Sequence, residues 1–291
     1  MPRTETAYQR PPLKWPGGKY RLLPRIQRHL CRGQRLVEPF AGSAVVSLNT
    51  PYPAHWINDV NADLITFLRV LRDDGGAFID HARQWFQPAY NNEAAYYEAR
   101  ATFNATADPV TKAALLLYIN KHGFNGLIRY NAAGLLNVPF GRYAGPAFPE
   151  EALRLMHRRL QGATLTSQPF EAVFAGLQEG DVVYCDPPYV PLSVTADFTT
   201  YAAGGFGLNE QERLALLATE AARAGRRVVI SNHDTPITQH LYARGRKYRF
   251  PVRRTISRDA SNRAEAKELL AVFTPRIVEQ GEKRHGPQSG R

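Results

Sequence analysis

The tetrapeptide Asp186-Pro187-Pro188-Tyr189 is the sharpest chemical feature of the chain, and it directly follows the apolar run Asp181–Cys185. Two prolines in series stiffen a chain, and the first has no N–H to compete for its neighbour's acceptors. The Asp186 carboxylate and the Pro187 carbonyl are thereby left as paired acceptors beside the aromatic face of Tyr189. That set fits an exocyclic –NH₂ on a planar ring, with both amine hydrogens accepted and the ring stacked. The plain alternative is a stiff turn at a strand end, but four such specific residues after a buried strand weigh against it.

Three further loops carry residues of the same kind. In Lys14-Trp15-Pro16-Gly17-Gly18-Lys19-Tyr20 the adjacent glycines let backbone N–H groups approach a ligand, and the flanking lysines can neutralise a carboxylate. Trp15 offers a face to a ring or to a sulfonium cation. The GxxxxGK[ST] order of a phosphate-binding loop is missing. In Glu38-Pro39-Phe40-Ala41-Gly42-Ser43 a single glycine, Gly42, lets a helix start close to a ligand, and one glycine is too few for a dinucleotide fingerprint. Asp59, in Asn58-Asp59-Val60-Asn61-Ala62-Asp63, stands roughly 20 positions after that turn, a placement suited to ribose hydroxyls. Each loop also has a structural reading: a glycine turn with a packed Trp, a tight turn, and helix capping. For the third both readings hold together, with Asp59 for a ligand and Asn61 or Asp63 for the cap.

These loops need a scaffold that brings them to one edge. Arg35–Glu38 and His55–Asn58 are short apolar runs, followed by the helix-like 43–49 and by Ala62–Arg72, with Leu64, Phe67, Leu68 and Leu71 on one helical face. Such strand–turn–helix units imply an α/β fold, a mostly parallel sheet with ligand loops at its strand C-termini. From about Gly75 to Lys121 the pattern is helical, and His122–Phe148 is rich in Gly, Asn, Pro, Arg and aromatics without regular period. A segment of that length is too long for a routine connection, and its aromatics argue against disorder. After Pro149 the alternation resumes, with strands expected at Asp181–Cys185, Arg226–Ile230 and Leu269–Phe273 and a helix at Asn209–Ala224. The expected organisation is a core of residues 1–74 and 149–278, interrupted by an insertion at 75–148, with a mobile tail at 279–291.

Composition narrows the class. The chain has 291 residues, 44% hydrophobic and 22% charged, ordinary for a soluble protein with a real core. No stretch approaches the roughly 20 apolar residues of a membrane span, and the polar N-terminus lacks the apolar core of a signal peptide. The two cysteines, Cys31 and Cys185, allow no disulfide framework or four-cysteine metal site. The balance of 37 Lys+Arg against 26 Asp+Glu gives a net +11, which points to a polyanionic partner.

The set KWPGGK, EPFAGS, NDVNADLI and YCDPPY, in that order from about Leu13 to Phe273, resembles the Dam family of DNA adenine methyltransferases. The resemblance implies a Rossmann-like methyltransferase sheet with a helical and hairpin target-recognition insertion, and S-adenosyl-L-methionine as methyl donor. It implies that Trp15, Lys19, Asp59 and Asp186 contact the donor, and that Phe40 and Gly42 shape its pocket. Asp186, Pro187, Pro188 and Tyr189 are the catalytic motif. This chain has Ser43-Ala44 where the family often has a second glycine. Cys185 is expected in the core and not as a nucleophile.

Within the insertion, Asn120–Asn131 and Asn137–Tyr143 resemble the recognition hairpin of members that read GATC. By that likeness Arg129 holds guanine in the bidentate pairing its major-groove edge favours. Leu127 and Pro139 meet apolar base edges, Phe124 inserts beside a flipped adenine, and Asn125 touches the backbone or the orphaned thymine. Arg142 makes a phosphate or base contact, and Asn137 belongs to the same DNA-binding set. Arg129 and Arg142 as generic phosphate binders is the plain alternative. The expected partner is double-stranded DNA, with no membrane and no metal. The expected setting is a cytoplasmic monomer, on a bacterial nucleoid or in host cytoplasm if phage-encoded. His233, at the end of the strand into Ser231-Asn232-His233-Asp234, is read as a structural or pocket-wall residue in preference to a general base. Arg258, Asn262, Arg263 and Lys267 form a basic cluster before the last strand whose family counterpart lies along the DNA, with a solvated loop as the plain alternative. Cytosine-amine or glutamine-amide methylation is disfavoured by Asp186, where those relatives tend to show Ser or Asn. A non-catalytic DNA-binding relative is disfavoured by the intact loops.

Overall fold

A computed structural model describes residues 8–190, 206–252 and 266–275. Seven strands form one sheet in the order β3-β2-β1-β4-β5-β7-β6. They are β1 (Arg35–Glu38), β2 (Ala54–Asn58), β3 (Thr164–Thr166), β4 (Asp181–Cys185), β5 (Arg227–His233), β6 (Arg246–Val252) and β7 (Ala266–Phe273). The first five strands in the sheet order pair parallel, and β7 runs antiparallel to β5 and β6. Central strands read as unbroken apolar runs because both faces are covered: all five residues of β4 are buried. The structure is thus the α/β, mostly parallel, Rossmann-like sheet that the sequence implies.

Nine α-helices are described: α1 (Leu23–His29), α2 (Val45–Leu48), α3 (Ala62–Arg83), α4 (Glu93–Ala105), α5 (Pro109–His122), α6 (Glu150–Leu160), α7 (Phe170–Ala175), α8 (Leu208–Arg223) and α9 (Pro236–Leu241). The strand order changes direction between β1 and β4, and in open α/β sheets ligands bind at the carboxyl ends of the strands at such a point. Among the described residues no helix is long and apolar enough to cross a membrane.

The helical region differs from its sequence reading in one respect. α3 runs through residue 75, where Gly75 (φ +40°) breaks the helix. A Cβ there would meet the His157 ring at 2.6 Å, and the His157 Nδ1–H donates to the Leu71 carbonyl at the break (2.8 Å). The insertion has no core of its own: buried side chains of α3, α4 and α5, together with Leu136 and Val138, pack in one cluster with Ile57 and Leu165 of the sheet. Asp108 caps α5 by accepting from Thr111 N–H (2.7 Å). Residues 113–120 are then buried on every side of the helix.

Two strands escape the sequence pattern. β3 has only three residues, and β6 is an edge strand with exposed cations. Both late strands run beyond their expected limits, so that Ser231, Asn232 and His233 belong to β5, and Lys267 to β7 itself. Arg258, Asn262, Arg263 and the tail 279–291 lie outside the described residues.

Candidate active site and nucleic-acid interface

The chain leaving β1 turns at Gly42, whose φ is +50°. A Cβ on Gly42 would stand 2.7 Å from Cδ1 and 2.8 Å from Nε1 of Trp15, so glycine here lets the indole lie on the turn. The Gly42 N–H donates to Asp59 Oδ2 (2.9 Å), and Asn61 N–H donates to Oδ1 (3.0 Å). Trp15, Gly42 and Asp59 therefore form one unit. Burial pushes the Asp59 carboxyl above its usual range, against the pull of these two N–H groups. Of the two capping candidates, Asn61 caps α3, through Leu64 N–H (3.0 Å). Asp63 instead takes the Tyr130 hydroxyl (2.6 Å) and lies 3.4 Å from the Lys112 ammonium. Phe40 packs in an aromatic trio, 5.3 Å from both Phe170 and Phe206. Ala44, of the Ser43-Ala44 pair, sits in the left-handed region at φ +53°.

Lys19 finds its carboxylate inside the protein. Its buried ammonium lies 2.8 Å from Asp186 Oδ1, donates to the Gly17 carbonyl (2.6 Å), and sits 4.6 Å from the Tyr189 ring centre. Ser231 donates its hydroxyl to Asp186 Oδ1 (3.0 Å). Burial raises the Asp186 pKa, and Lys19, then Ser231, draw it back. The Cys185 thiol is buried and pushed up by that burial, the behaviour of a core residue and not of a nucleophile.

Two residues given no role in the sequence reading, Asn232 and Gln211, hold the Asp-Pro-Pro-Tyr turn in place. Buried Asn232 accepts from Val190 N–H (3.1 Å) and donates to Gln211 (3.1 Å) and Tyr242 (3.0 Å). Gln211 donates to the Pro188 carbonyl (2.7 Å). Among the described residues nothing donates to the Pro187 carbonyl. One carbonyl of the turn is thus occupied from the α8 side, and its neighbour is left open beside Asp186. His233 stands at right angles to Tyr189 (4.7 Å), and its Nδ1–H donates to Val190 O (2.7 Å). Glu38, fully buried at the end of β1, accepts from Ser47 N–H (2.8 Å). Burial lifts its carboxyl to about 7. Glu38, Ser231 and Asn232 stand in segments named above without a role of their own, and their signal is a polar residue inside or at the end of an apolar strand; Gln211, on α8, leaves none.

Residues 123–140 form a hairpin pinned by isolated antiparallel bridges, Gly123 to Phe140 and Tyr130 to Leu136. Its rungs are Phe124 N–H to Pro139 O (2.9 Å) and Asn137 N–H to Arg129 O (2.8 Å). Asn131 closes the tip by accepting from Ala133 and Leu135 N–H, both at 3.0 Å. Phe124, Asn125, Arg129, Asn137, Pro139 and Arg142 are exposed, whereas Leu127 is half-buried against the α3–α5 cluster. The Arg129 guanidinium donates to Asn137 O (2.9 Å), and Arg142 lies 3.7 Å from Glu93, both exposed. Asn125 and Arg142 adopt left-handed φ values of +55° and +54°. The structure thus gathers Trp15, Lys19, Gly42, Asp59, Asp186 and Tyr189 at the sheet edge and places the hairpin set on a separate surface. The two meet through Lys14 and Asp63.

Among the described residues no three His, Cys, Asp or Glu side chains gather as a metal site requires. The chemistry available is that of a carboxylate, an open carbonyl and an aromatic face, beside a second carboxylate held by backbone N–H groups.

Residues 15–256 match the family model for D12 class N6 adenine-specific DNA methyltransferases. The chain is 45% identical to a DNA adenine methylase of Vibrio cholerae over 273 residues, 94% of this chain and 99% of that protein. It is 42% identical to the DNA adenine methylase of Escherichia coli K12 over 271 residues, 93% and 98% of the two chains. With that of Serratia marcescens it shares 44% over 262 residues, 90% and 97%. With both the matched span and these identities in view, the chain belongs to the D12 class of N6 adenine-specific DNA methyltransferases.

Proposed function

We propose that the enzyme moves a methyl group from S-adenosylmethionine to the exocyclic amine of adenine in double-stranded GATC, after flipping that adenine out of the duplex. The observation that carries the reading is the Pro187 carbonyl, to which no described residue donates, beside the Asp186 carboxylate, whose Oδ1 takes Lys19 and Ser231, at a turn whose Pro188 carbonyl is taken by Gln211.

The residues at the sheet edge fit the donor. Each Asp59 oxygen holds one backbone N–H and keeps a lone pair for a hydroxyl, and the carboxylate is only partly covered. Trp15 lies beside it on Gly42, and Phe40 closes the wall. Trp15, Lys19, Phe40, Gly42, Asp59 and Asp186 would hold the donor, which when bound supplies an electrophilic methyl on a cationic sulfur.

The chain's own residues do the rest. An amine inside a duplex is out of reach, so the base must leave the stack. In the pocket Asp186 and the Pro187 carbonyl accept the two amine hydrogens, which draws the nitrogen from planarity toward sp³ and frees its lone pair. Tyr189 stacks the ring, and Pro188 keeps the turn rigid. Lys19 opposes the burial that raises the Asp186 pKa, which favours the ionised acceptor before the base arrives. Positioning of this kind is worth roughly 7–11 kcal/mol in well-oriented systems.

On the hairpin, Arg129 reads guanine, Pro139 and the exposed edge of Leu127 meet apolar base edges, and Phe124 fills the space the adenine leaves. Asn125, Asn137 and Arg142 contact the strand. We read residues 75–148 as this recognition insertion and residues 1–74 and 149–278 as the catalytic part. The enzyme is taken as a monomer acting on cytoplasmic DNA.

Labelled methyl transfer to two duplexes, alike except for the central pair of GATC, tests the reading. Label on adenine of the GATC duplex alone is expected. Equal label on both discards the GATC assignment and keeps the chemistry; no label on either discards both.

A further inference from the structure

Among the links between the two poles is a buried side chain that neither pole's chemistry uses. Asn120, in the last turn of α5, is fully buried. Its Oδ1 accepts from Lys14 N–H (2.8 Å), and its Nδ2 donates to Lys14 O (2.8 Å) and to Gly126 O (2.8 Å). The partners fix the amide's orientation, because a backbone N–H faces the oxygen and two carbonyls face the nitrogen. Lys14 immediately precedes Trp15, and Gly126 lies between Asn125 and Leu127 of the hairpin.

The joint is tight on its other sides as well. A Cβ on Gly126 (φ +65°) would come within 2.5 Å of Lys14 Cδ and 2.7 Å of its Cβ. The Lys14 ammonium sits 5.0 Å from the Tyr143 ring centre, and the Tyr143 hydroxyl accepts from Asn125 N–H (2.9 Å). The segment leading to the Trp15 loop is thus bonded, packed and stacked against the segment that carries the hairpin residues. Buried and fully bonded polar groups tolerate little displacement, since a lost partner exposes an unsatisfied donor or acceptor.

We propose that Asn120 is a positioning residue that couples target recognition to the methyl-donor site: a shift of the hairpin on its DNA moves the Lys14–Trp15 backbone through the Asn120 amide. The inference rests on the reading of the Trp15 loop as donor site and of the hairpin as recognition element. Coupling between two sites is reciprocal, so each ligand must strengthen the other's binding by the same factor. A residue that merely holds the fold has no reason to set that factor.

The test uses the full chain and S-adenosylhomocysteine, the demethylated form of the donor, which binds without reacting. Affinity for a GATC duplex is measured with and without it, and its own affinity with and without the duplex. The wild type is expected to show equal factors in both directions, in the usual range of about 5- to 150-fold. Asn120→Asp keeps the acceptor for Lys14 N–H but turns an oxygen toward both carbonyls, and it is expected to bring both factors near unity. Gly126→Ala disturbs the same joint from the other side and is expected to do the same, which keeps the test alive if Asn120→Asp does not fold. Tyr96→Phe is the control. It removes a hydroxyl that donates to Val138 O (3.0 Å), in the opposite strand of the hairpin, and should leave the factors unchanged. Wild-type factors in folded Asn120→Asp and Gly126→Ala, or no coupling in the wild type, would overturn the proposal. A wild type that binds neither ligand overturns instead the functional reading beneath it.

Discussion

The sheet edge and the hairpin solve opposite problems. At the edge, side chains are committed before any ligand arrives: Lys19 on Asp186, two N–H groups on Asp59, Asn232 and Gln211 on the catalytic turn. On the hairpin it is the backbone that is committed, through rungs and the Asn131 tip, while Phe124, Asn125, Arg142 and Pro139 present exposed side chains. Fixed groups lower a barrier because they need no reorganisation at the moment of reaction. Exposed groups discriminate, because a wrong partner leaves them unpaired where the right one does not. Substitutions should therefore separate the two regions: turnover and stability at the edge, selectivity at the hairpin.

The largest effect is expected from Asp186→Asn. It keeps the shape and an oxygen for Lys19 but removes the anionic acceptor, and single-turnover methyl transfer should fall about 10²–10³-fold or more, with DNA binding retained in a gel-shift assay. Full activity in this variant would break the comparison at its catalytic end. At the other end, Arg129→Ala should cost about 1–3 kcal/mol of discrimination at one base pair. Its thermal midpoint should barely move, since exposed substitutions usually stay within about 0.5 kcal/mol.

Two pH effects sharpen the catalytic side. Asp186 must be ionised to accept an amine hydrogen, and its pKa is raised by burial. The acid limb of the rate profile should lie above the ordinary carboxylate range, and Lys19→Met, which removes the main opposing charge, should move it further up. Glu38 acts on stability with a definite sign. Its folded pKa of about 7 exceeds the ordinary value of 4.5, so the folded state holds the extra proton between those limits. The stability from Glu38 is full below about 4.5 and is lost as pH rises through about 7. Glu38→Gln keeps an acceptor for Ser47 N–H and should stabilise the protein above that range by of order 1–3 kcal/mol, with no gain near pH 4 in denaturant titrations.

The smallest effect belongs to Ala44, whose left-handed backbone costs a non-glycine residue about 1–2 kcal/mol. Ala44→Gly relieves that strain but gives up a buried methyl group worth about 0.8 kcal/mol. The expected result is a net gain of at most about 1 kcal/mol in urea unfolding, with methyl transfer unchanged.

The same contrast decides what was legible in the sequence. Edge loops announce themselves because glycine and proline punctuate strand ends, and Asp59 and the Asp-Pro-Pro-Tyr turn follow short apolar runs. The hairpin has no period, since its bridges are isolated and its tip is closed by Asn131, so only likeness to a family revealed it. Lys19 was expected to meet a ligand's carboxylate and meets Asp186, a contact that depends on two segments far apart in the chain. The roles of Asn232 and Gln211 depend in the same way on segments far apart in the chain. β6 went unseen because an edge strand of alternating cations and aromatics carries no apolar run.

The most direct test of the separation between poles is kcat/KM on GATC and on a duplex with one pair changed, for Lys19→Met and Arg129→Ala side by side. Lys19→Met should lower both values alike and leave their ratio near that of the wild type. Arg129→Ala should collapse the ratio while the thermal midpoint stays in place. A ratio that collapses in Lys19→Met, or survives in Arg129→Ala, would contradict the assignment of chemistry to the sheet edge and selectivity to the hairpin.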